Sequence, residues 1–209
     1  MSRIARTYRN VVSVLPRSFY EHAPDIVARA LLGKLVVREL ESESLVGRIV
    51  EVEAYFGQED PAAHSYVGRT ARNAVLFGPP GFAYVYFIYG MYYCLNVSCE
   101  PDGQAGGVLI RALEPVEGLA AMAKLRKLPP NPKPQLLTSG PGRLCQALDI
   151  TRAAHNGVAV TSAASCLRIE SDNYSPDEIE VTPRIGIRHA ADLLARFVIA
   201  GNKFVSRGG

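Results

Sequence analysis

Two glutamates and a tyrosine alternate along one apolar stretch, Val46 to Tyr55, as Glu51, Glu53 and Tyr55. An extended strand sends successive side chains to opposite faces. In a single register this places Ile49, Glu51, Glu53 and Tyr55 on one face and Val46, Arg48, Val50, Val52 and Ala54 on the other. The second face suits a core. The first carries two carboxylates, the group that takes up or gives a proton in general acid–base catalysis. The same pattern also fits the solvated face of an antiparallel sheet, and the strand alone does not favour one glutamate over the other. Arg111 stands in another apolar stretch, Gly107 to Glu114. A guanidinium set among such neighbours requires a partner, either any nearby carboxylate or an acid and water of a functional site.

A second candidate surface runs from Phe82 to Cys99 and holds five of the chain's ten tyrosines: Tyr84, Tyr86, Tyr89, Tyr92 and Tyr93. Aromatic and β-branched residues in an unbroken run read as strand. Gly90 interrupts the run, so two strands joined by a tight turn at Tyr89, Gly90 and Met91 are expected. Alternation puts Tyr84, Tyr86 and Ile88 on one face, and Val85, Phe87 and Tyr89 on the other. Taken alone, this is first a tyrosine-rich core hairpin with its hydroxyls at the sheet margin. It also fits a platform for flat, polar-edged ligands such as nucleic-acid bases, which stack on aromatic rings.

The elements that must position these residues can be placed from patterning. Pro24 to Gly33 reads as a short helix opened by proline and closed by glycine, with Ile26, Val27, Ala30 and Leu31 as its apolar stripe. Strands are expected at Leu35–Leu40, Val46–Tyr55 and Gly107–Glu114. Residues 56–81 form a long segment rich in glycine and proline that carries His64, Arg69, Arg72 and Asn73. Its Phe56, Val75, Leu76 and Phe77 favour an ordered loop, and ordered loops of this length are usually functional. Pro115 to Leu128 is predicted to be helical, ended by the prolines from Pro129 to Pro134, with Lys124, Arg126, Lys127 and Lys133 making an exposed basic loop. Thr138 to Asp149 opens like a helix start. Beyond it, short apolar runs at 158–160, 167–169, 185–187 and 197–199 alternate with polar turns. No repeat and no linker divides the chain, so residues 17–209 are expected to form one domain, preceded by a flexible basic arm over residues 1–16.

Composition sets the outer bounds. The 209 residues are 48% hydrophobic and 21% charged, with net charge +3. This is a globular, mildly basic chain that permits a polyanionic partner without demanding one. No apolar run reaches the length of a membrane span. The first residues are basic, with Arg3, Arg6 and Arg9, but lack the apolar core of a secretory signal. Cys94, Cys99, Cys145 and Cys166 show no CxxC spacing, and the histidines at 22, 64, 155 and 189 no HxxxH pair, so no metal is expected and the thiols are expected reduced. A cytoplasmic setting follows, nucleoid-associated if the source is bacterial.

Taken together and in order, the motifs resemble the signature of the alkyladenine (3-methyladenine) DNA glycosylases of the mammalian type. The match comprises Arg48 to Tyr55; Glu59-Asp60 followed by Ala62, Ala63, His64 and Ser65; Thr70, Arg72 and Asn73; Tyr84 to Tyr92; Asn96; Leu109 to Pro115; and Ser139 to Pro141. It extends from about Arg17 to Ser206. The resemblance implies an α+β fold: a single domain with a curved, mainly antiparallel sheet flanked by helices, a protruding β-hairpin, and a sheet like that of the formyltransferase C-terminal domain. It also implies hydrolysis of the N-glycosidic bond of alkylated or deaminated purines in double-stranded DNA, by a monomer without cofactor, leaving an abasic site.

On this resemblance Glu53 is the general base that activates water, and Arg111 holds the water and carboxylate in place. Tyr55, His64 and Tyr86 enclose the flipped base. Tyr89 fills the gap left in the stack, and Asn96 lines the pocket and discriminates against the guanine amino group. The sequence departs from the family at Leu194-Ala-Arg196-Phe197, where many relatives have Pro-Trp-Arg-Phe, and at Arg143, where lysine is common. Two other readings are kept: a non-catalytic module that binds damaged DNA, and a formyltransferase-like tRNA-binding domain, which would not need Glu53, Tyr55 and His64 to converge.

Overall fold

The architecture is built around one long strand that changes its edge partner halfway along. In the computed structural model, which describes residues 12–206, the strands and helices in chain order are β1 (Ser13–Val14), α1 (Pro24–Leu31), β2 (Leu35–Glu39), β3 (Ser44–Tyr55), β4 (Ala83–Ile88), β5 (Tyr92–Ser98), β6 (Gly107–Glu117), α2 (Leu119–Leu125), α3 (Gln135–Thr138), α4 (Pro141–Ala147), α5 (Arg152–His155), β7 (Leu167–Ser171), β8 (Ile179–Pro183) and β9 (Leu194–Ile199). The nine strands form one curled antiparallel sheet in the order β1-β7-β2-β3-β6-β5-β4, with β9 joined to β3 and β8 to β9. This is the α+β class expected. The proposed basic arm lies outside the described residues over positions 1–11.

One face of the sheet is covered by helices. Val27, Ala28 and Leu31 of α1, Met122 of α2, and Leu144 and Cys145 of α4 pack on Val50, Val52, Ala54, Val85, Val97, Val108 and Ile110. The spacing of Pro24, Val27, Ala28 and Leu31 is the i, i+3, i+4, i+7 stripe of a helix buried along one side. Ile26 and Ala30, expected in that stripe, point to solvent instead, because they lie outside its arc.

Two further expectations are corrected. The alternation along β3 does not hold in one register, because Val50 is an extra residue between the pairs Ile49–Leu113 and Glu51–Ala112. This β-bulge turns both Ile49 and Val50 toward the helices. Ile49 therefore leaves the face of Glu51, and Val46, packed with Leu35 and Val37 in a separate cluster, leaves that of Val50. Arg48 likewise turns away from the helices, toward Asp172 and the Gly33 carbonyl. Second, β6 continues through Pro115 to Glu117, and α2 starts only after Gly118. That glycine has φ +79°, and a Cβ on it would lie 2.5 Å from Leu45, so the turn requires glycine. The apolar run at Ile185–Ile187 lies in a loop, and β8 closes the sheet beside β9.

The departing segment Leu194–Phe197 forms the start of β9. Phe197 is buried, with the Arg29 guanidinium 4.8 Å from its ring centroid. Among the described residues, no helix is long and apolar enough to cross a membrane.

Candidate active site

The face opposite the helices carries the polar residues of β3 and β6. Beyond the bulge, Glu51, Glu53 and Tyr55 project from it, and an irregularity in β6 leaves Arg111 unpaired in the ladder beside them. Both carboxylates have no exposed surface. Buried ions require partners with good geometry, and here Arg111 serves both: its Nε donates to Glu51 at 3.0 Å and its Nη1 lies 3.1 Å from Glu53. Burial alone would make Arg111 easier to deprotonate. Glu53 and Glu51 outweigh this and push its pKa up, so it stays charged.

The two glutamates differ in the donors they hold. Glu51 accepts from Arg111 Nε, Arg196 Nε at 2.7 Å, the Ser206 N–H at 2.6 Å and the Ser206 hydroxyl at 2.9 Å. Three of these donors meet Oε1 and one, the Ser206 N–H, meets Oε2. Glu53 accepts the Ile185 N–H (2.7 Å) on Oε1, which also forms an ion pair with Arg111 Nη1 at 3.1 Å, and the Tyr55 hydroxyl (2.9 Å) on Oε2. Oε2 thus keeps an acceptor position. Burial first, and then the charge of Glu53, raise the Tyr55 pKa, which keeps its hydroxyl protonated as the donor.

Over Glu53 opens a cleft of about 340 Å³, bordered by Tyr55, His64, Tyr84, Tyr86, Asn96 and Arg111, with the backbone of Ile185–Ile187 on another side and Tyr89 at its mouth. Glu53 lies just beneath this wall, in contact with three of its members. Tyr84, Tyr86 and Ile88 share the cleft face of β4, while Val85 enters the core. Asn96, paired with Tyr84 across the hairpin, is buried and donates to the Tyr84 carbonyl at 3.3 Å.

His64 comes from the 56–81 loop, which is ordered by its own hydrogen bonds. Asn73 donates to the carbonyls of His64 (2.8 Å) and Gly68 (2.9 Å) and accepts from the Thr70 N–H (2.7 Å). The His64 ring meets Tyr86 edge-on, centroids 4.4 Å apart, and its Nδ1 lies 2.9 Å from the Tyr84 hydroxyl. Burial, and secondly the charge of Arg72, lower its pKa below the usual histidine value, which favours the neutral ring. At the hairpin tip Tyr89 and Gly90 both have positive φ, 54° and 68°, the combination a two-residue hairpin turn demands. Tyr89 is 78% exposed.

All seven residues singled out from the sequence therefore meet at one place: Glu53, Arg111, Tyr55, His64, Tyr86 and Asn96 around or under the cleft, and Tyr89 on its rim. Sequence reasoning missed Ile185, Arg196 and Ser206. Each reaches the carboxylates from 130 or more positions away through a backbone group or a common side chain, and no local pattern announces such contacts.

The arrangement is a slot for a planar ligand, walled by aromatic rings, above a carboxylate with one open acceptor position and a fixed cation. It can deprotonate a water held between Glu53 and a ligand atom at the cleft floor.

Comparison with known proteins follows the same lines. The family described as methylpurine-DNA glycosylase matches residues 18–203. A protein of Koribacter versatilis is 57% identical over 192 residues, 92% of each chain, and carries the name "Putative 3-methyladenine DNA glycosylase". Proteins under the same name from Burkholderia lata (47% identical; 93% of this chain, 91% of the relative) and Methanocella arvoryzae (50%; 86% and 87%) are similar over nearly their whole lengths.

Proposed function

The chain belongs to the methylpurine-DNA glycosylase family, and from that premise we propose how its cleft performs the reaction. The protein is a monofunctional DNA glycosylase of base excision repair that removes alkylated purines. A purine inside a duplex cannot reach a cleft of this depth, so the damaged nucleotide is rotated out and its base enters between Tyr55 on one side and His64 with Tyr86 on the other. Tyr89, exposed at the hairpin tip, takes the vacated place in the stack. Asn96 meets the edge of the base and selects against the guanine amino group.

Glu53 then draws a proton from a water bound at its open Oε2 position as that water bonds to C1′ of the sugar. The C1′–N bond breaks, its electrons leave with the base, and the product strand carries an abasic sugar. A purine alkylated on a ring nitrogen is already positive and departs as a neutral molecule. Arg111 holds the carboxylate and the water in line. Water is the nucleophile, and among the described residues no lysine lines the cleft, which fits an enzyme without lyase activity. The deaminated purines belong to the same proposal. Cleft, carboxylates and wedge all come from one chain, which supports action as a monomer, and a DNA substrate supports a setting in the cytoplasm or nucleoid.

The observation that carries this reading is what each carboxylate touches: Glu53 contacts three residues that line the aromatic slot, Tyr55, Arg111 and Ile185, whereas Glu51 is tied to Arg196 and Ser206 and shares only Arg111 with the slot. The test is mass-spectrometric detection of bases released from methylated duplex DNA by wild type and Glu53→Gln. Loss of a general base costs about 10²–10⁴ in rate, so the variant should bind lesion duplex yet release base at least about a hundredfold more slowly. A Glu53→Gln enzyme within threefold of wild type would show that another group activates water. Binding without release by both proteins would favour a non-catalytic damage-binding module.

A further inference from the structure

Behind the Tyr55 ring lies a cation. Arg184, in the loop after β8, places its guanidinium carbon 4.6 Å from the ring centroid. Tyr55 borders the cleft while Arg184 does not, and the Arg184 side chain has no exposed surface. The guanidinium therefore covers the ring face turned away from the cleft. Its Nη1 donates to the Ala54 carbonyl at 3.0 Å, and its two terminal nitrogens grip both oxygens of Asp60, one contact at 2.9 Å. Asp60 also accepts the N–H groups of Phe56 (3.2 Å) and Ala62 (3.0 Å). The residue after Arg184 is Ile185, which binds Glu53.

An aromatic ring attracts a cation through the negative charge of its face. A second cation on the opposite face weakens that attraction twice: it draws the π electrons toward itself, and it repels the other charge through the ring. A purine alkylated at a ring nitrogen such as N7 is positively charged in DNA, whereas an etheno-bridged or deaminated base is neutral. An uncompensated guanidinium behind Tyr55 would thus disfavour the first class alone. The bidentate carboxylate of Asp60 cancels that charge.

The geometry points to Asp60 as the residue that sets the cleft's charge preference, acting through Arg184 and the Tyr55 ring to keep positively charged bases acceptable. Asp60 touches neither base nor water; it is a positioning and specificity residue. The inference rests on the reading of the cleft as a base pocket. A base stacked on Tyr55 stands roughly 8 Å from the guanidinium, where two unit charges at an effective dielectric of about 20 alter a rate by about thirtyfold. The Asn side chain's own dipole offsets part of this, so a change of about tenfold is expected.

The experiment compares single-turnover base release from two duplexes, one carrying 3-methyladenine and one 1,N6-ethenoadenine, with the same enzyme preparation, so that any loss of folded protein cancels in the ratio. Binding of the two duplexes in a Glu53→Gln background gives the same ratio without turnover. Asp60→Asn should lower the cationic-to-neutral ratio about tenfold, and Asp60→Asn combined with Arg184→Met should return it to within about threefold of wild type. A merely structural role would move both lesions together. A ratio for Asp60→Asn within twofold of wild type, or a double variant that keeps the lowered ratio, overturns the inference. A wild type that releases and binds neither lesion overturns the reading of the cleft, and the inference with it.

Discussion

Replacing Glu51 with glutamine should separate two carboxylates that sit two residues apart on one strand. The Glu51 carboxylate is wholly buried and accepts four hydrogen bonds, from Arg111, Arg196 and both donors of Ser206. A glutamine amide keeps one acceptor oxygen and turns an NH₂ toward donors, so at least one or two of the four lose their acceptor. A hydrogen bond to a charged group contributes about 1.5–3 kcal/mol, and removing one member of a buried ion pair costs about 3–5 kcal/mol. The two routes agree on about 3–5 kcal/mol. At about 2–4 °C per kcal/mol for a domain of this size, the melting temperature should fall by about 10 °C or more.

The assay is thermal and urea denaturation of Glu51→Gln beside Glu53→Gln, with single-turnover base release at a temperature where both are folded. Glu51→Gln should lose stability first, because it unpins Ser206 and β9 while Glu53 keeps its donors and its open position. Its folded fraction should retain activity within about tenfold of wild type. A Glu51→Gln protein that melts within 2 °C of wild type would refute the hub. One that is fully folded yet as inactive as Glu53→Gln would refute the division of labour.

Two further outcomes are expected. Tyr89→Ala removes a largely exposed ring, and a stacked base–aromatic contact is worth about 1–3 kcal/mol. Its melting temperature should stay within about 1 °C of wild type while affinity for a lesion duplex, measured by gel shift, drops about tenfold; unchanged affinity would remove the hairpin tip from DNA binding. Asp172 forms a nearly buried pair with Arg48 through both oxygens, and the Arg48 hydrogen bonds, opposed by burial, hold its carboxyl below the usual range. Its folded pKa thus lies under the unfolded value of about 3.9, so the pair's stabilisation is complete above that pH and is lost as pH falls through the folded value. Asp172→Asn should therefore cost about 3 kcal/mol at pH 7, and the gap in melting temperature between variant and wild type should close toward pH 3. An equal gap at pH 7 and pH 3 counts against the pair.

Much of this site is legible in the sequence, but for unequal reasons. The hairpin is readable from local chemistry: aromatic alternation on both sides of Gly90 leaves few alternatives, and Tyr84, Tyr86 and Ile88 do share the cleft face. Arg111 announces itself as a charge that needs a partner. The choice between Glu51 and Glu53 is not readable, since both project from one face, and only the family resemblance makes it. The distinguishing fact, which donors each carboxylate holds, depends on Arg196, Ser206 and Ile185, which arrive from the far end of the chain. Asp60 and Arg184 are hidden for the same reason, 124 positions apart and joined only in space.

The bulge at Val50 explains why simple alternation failed and why the site lies where it does. Up to Arg48, the free edge of β3 pairs with β2, and Ile49 exchanges hydrogen bonds with Gly33 and Lys34 at the end of α1. From Glu51 onward the same edge pairs with β9. A strand that changes neighbours must bend, and one extra residue supplies the bend while flipping every later side chain to the other face. Without that flip, Glu51, Glu53 and Tyr55 would point into the helices, where two carboxylates would find no partner. With it, they meet the strand that brings Arg196, and the loop before that strand brings Arg184 and the Ile185 N–H. The irregularity that defeats a period-two reading of β3 is therefore the feature that assembles the catalytic carboxylate, its anchors and the back wall of Tyr55 in one place. Deleting Val50 should accordingly disrupt the face assignment of the whole second half of the strand.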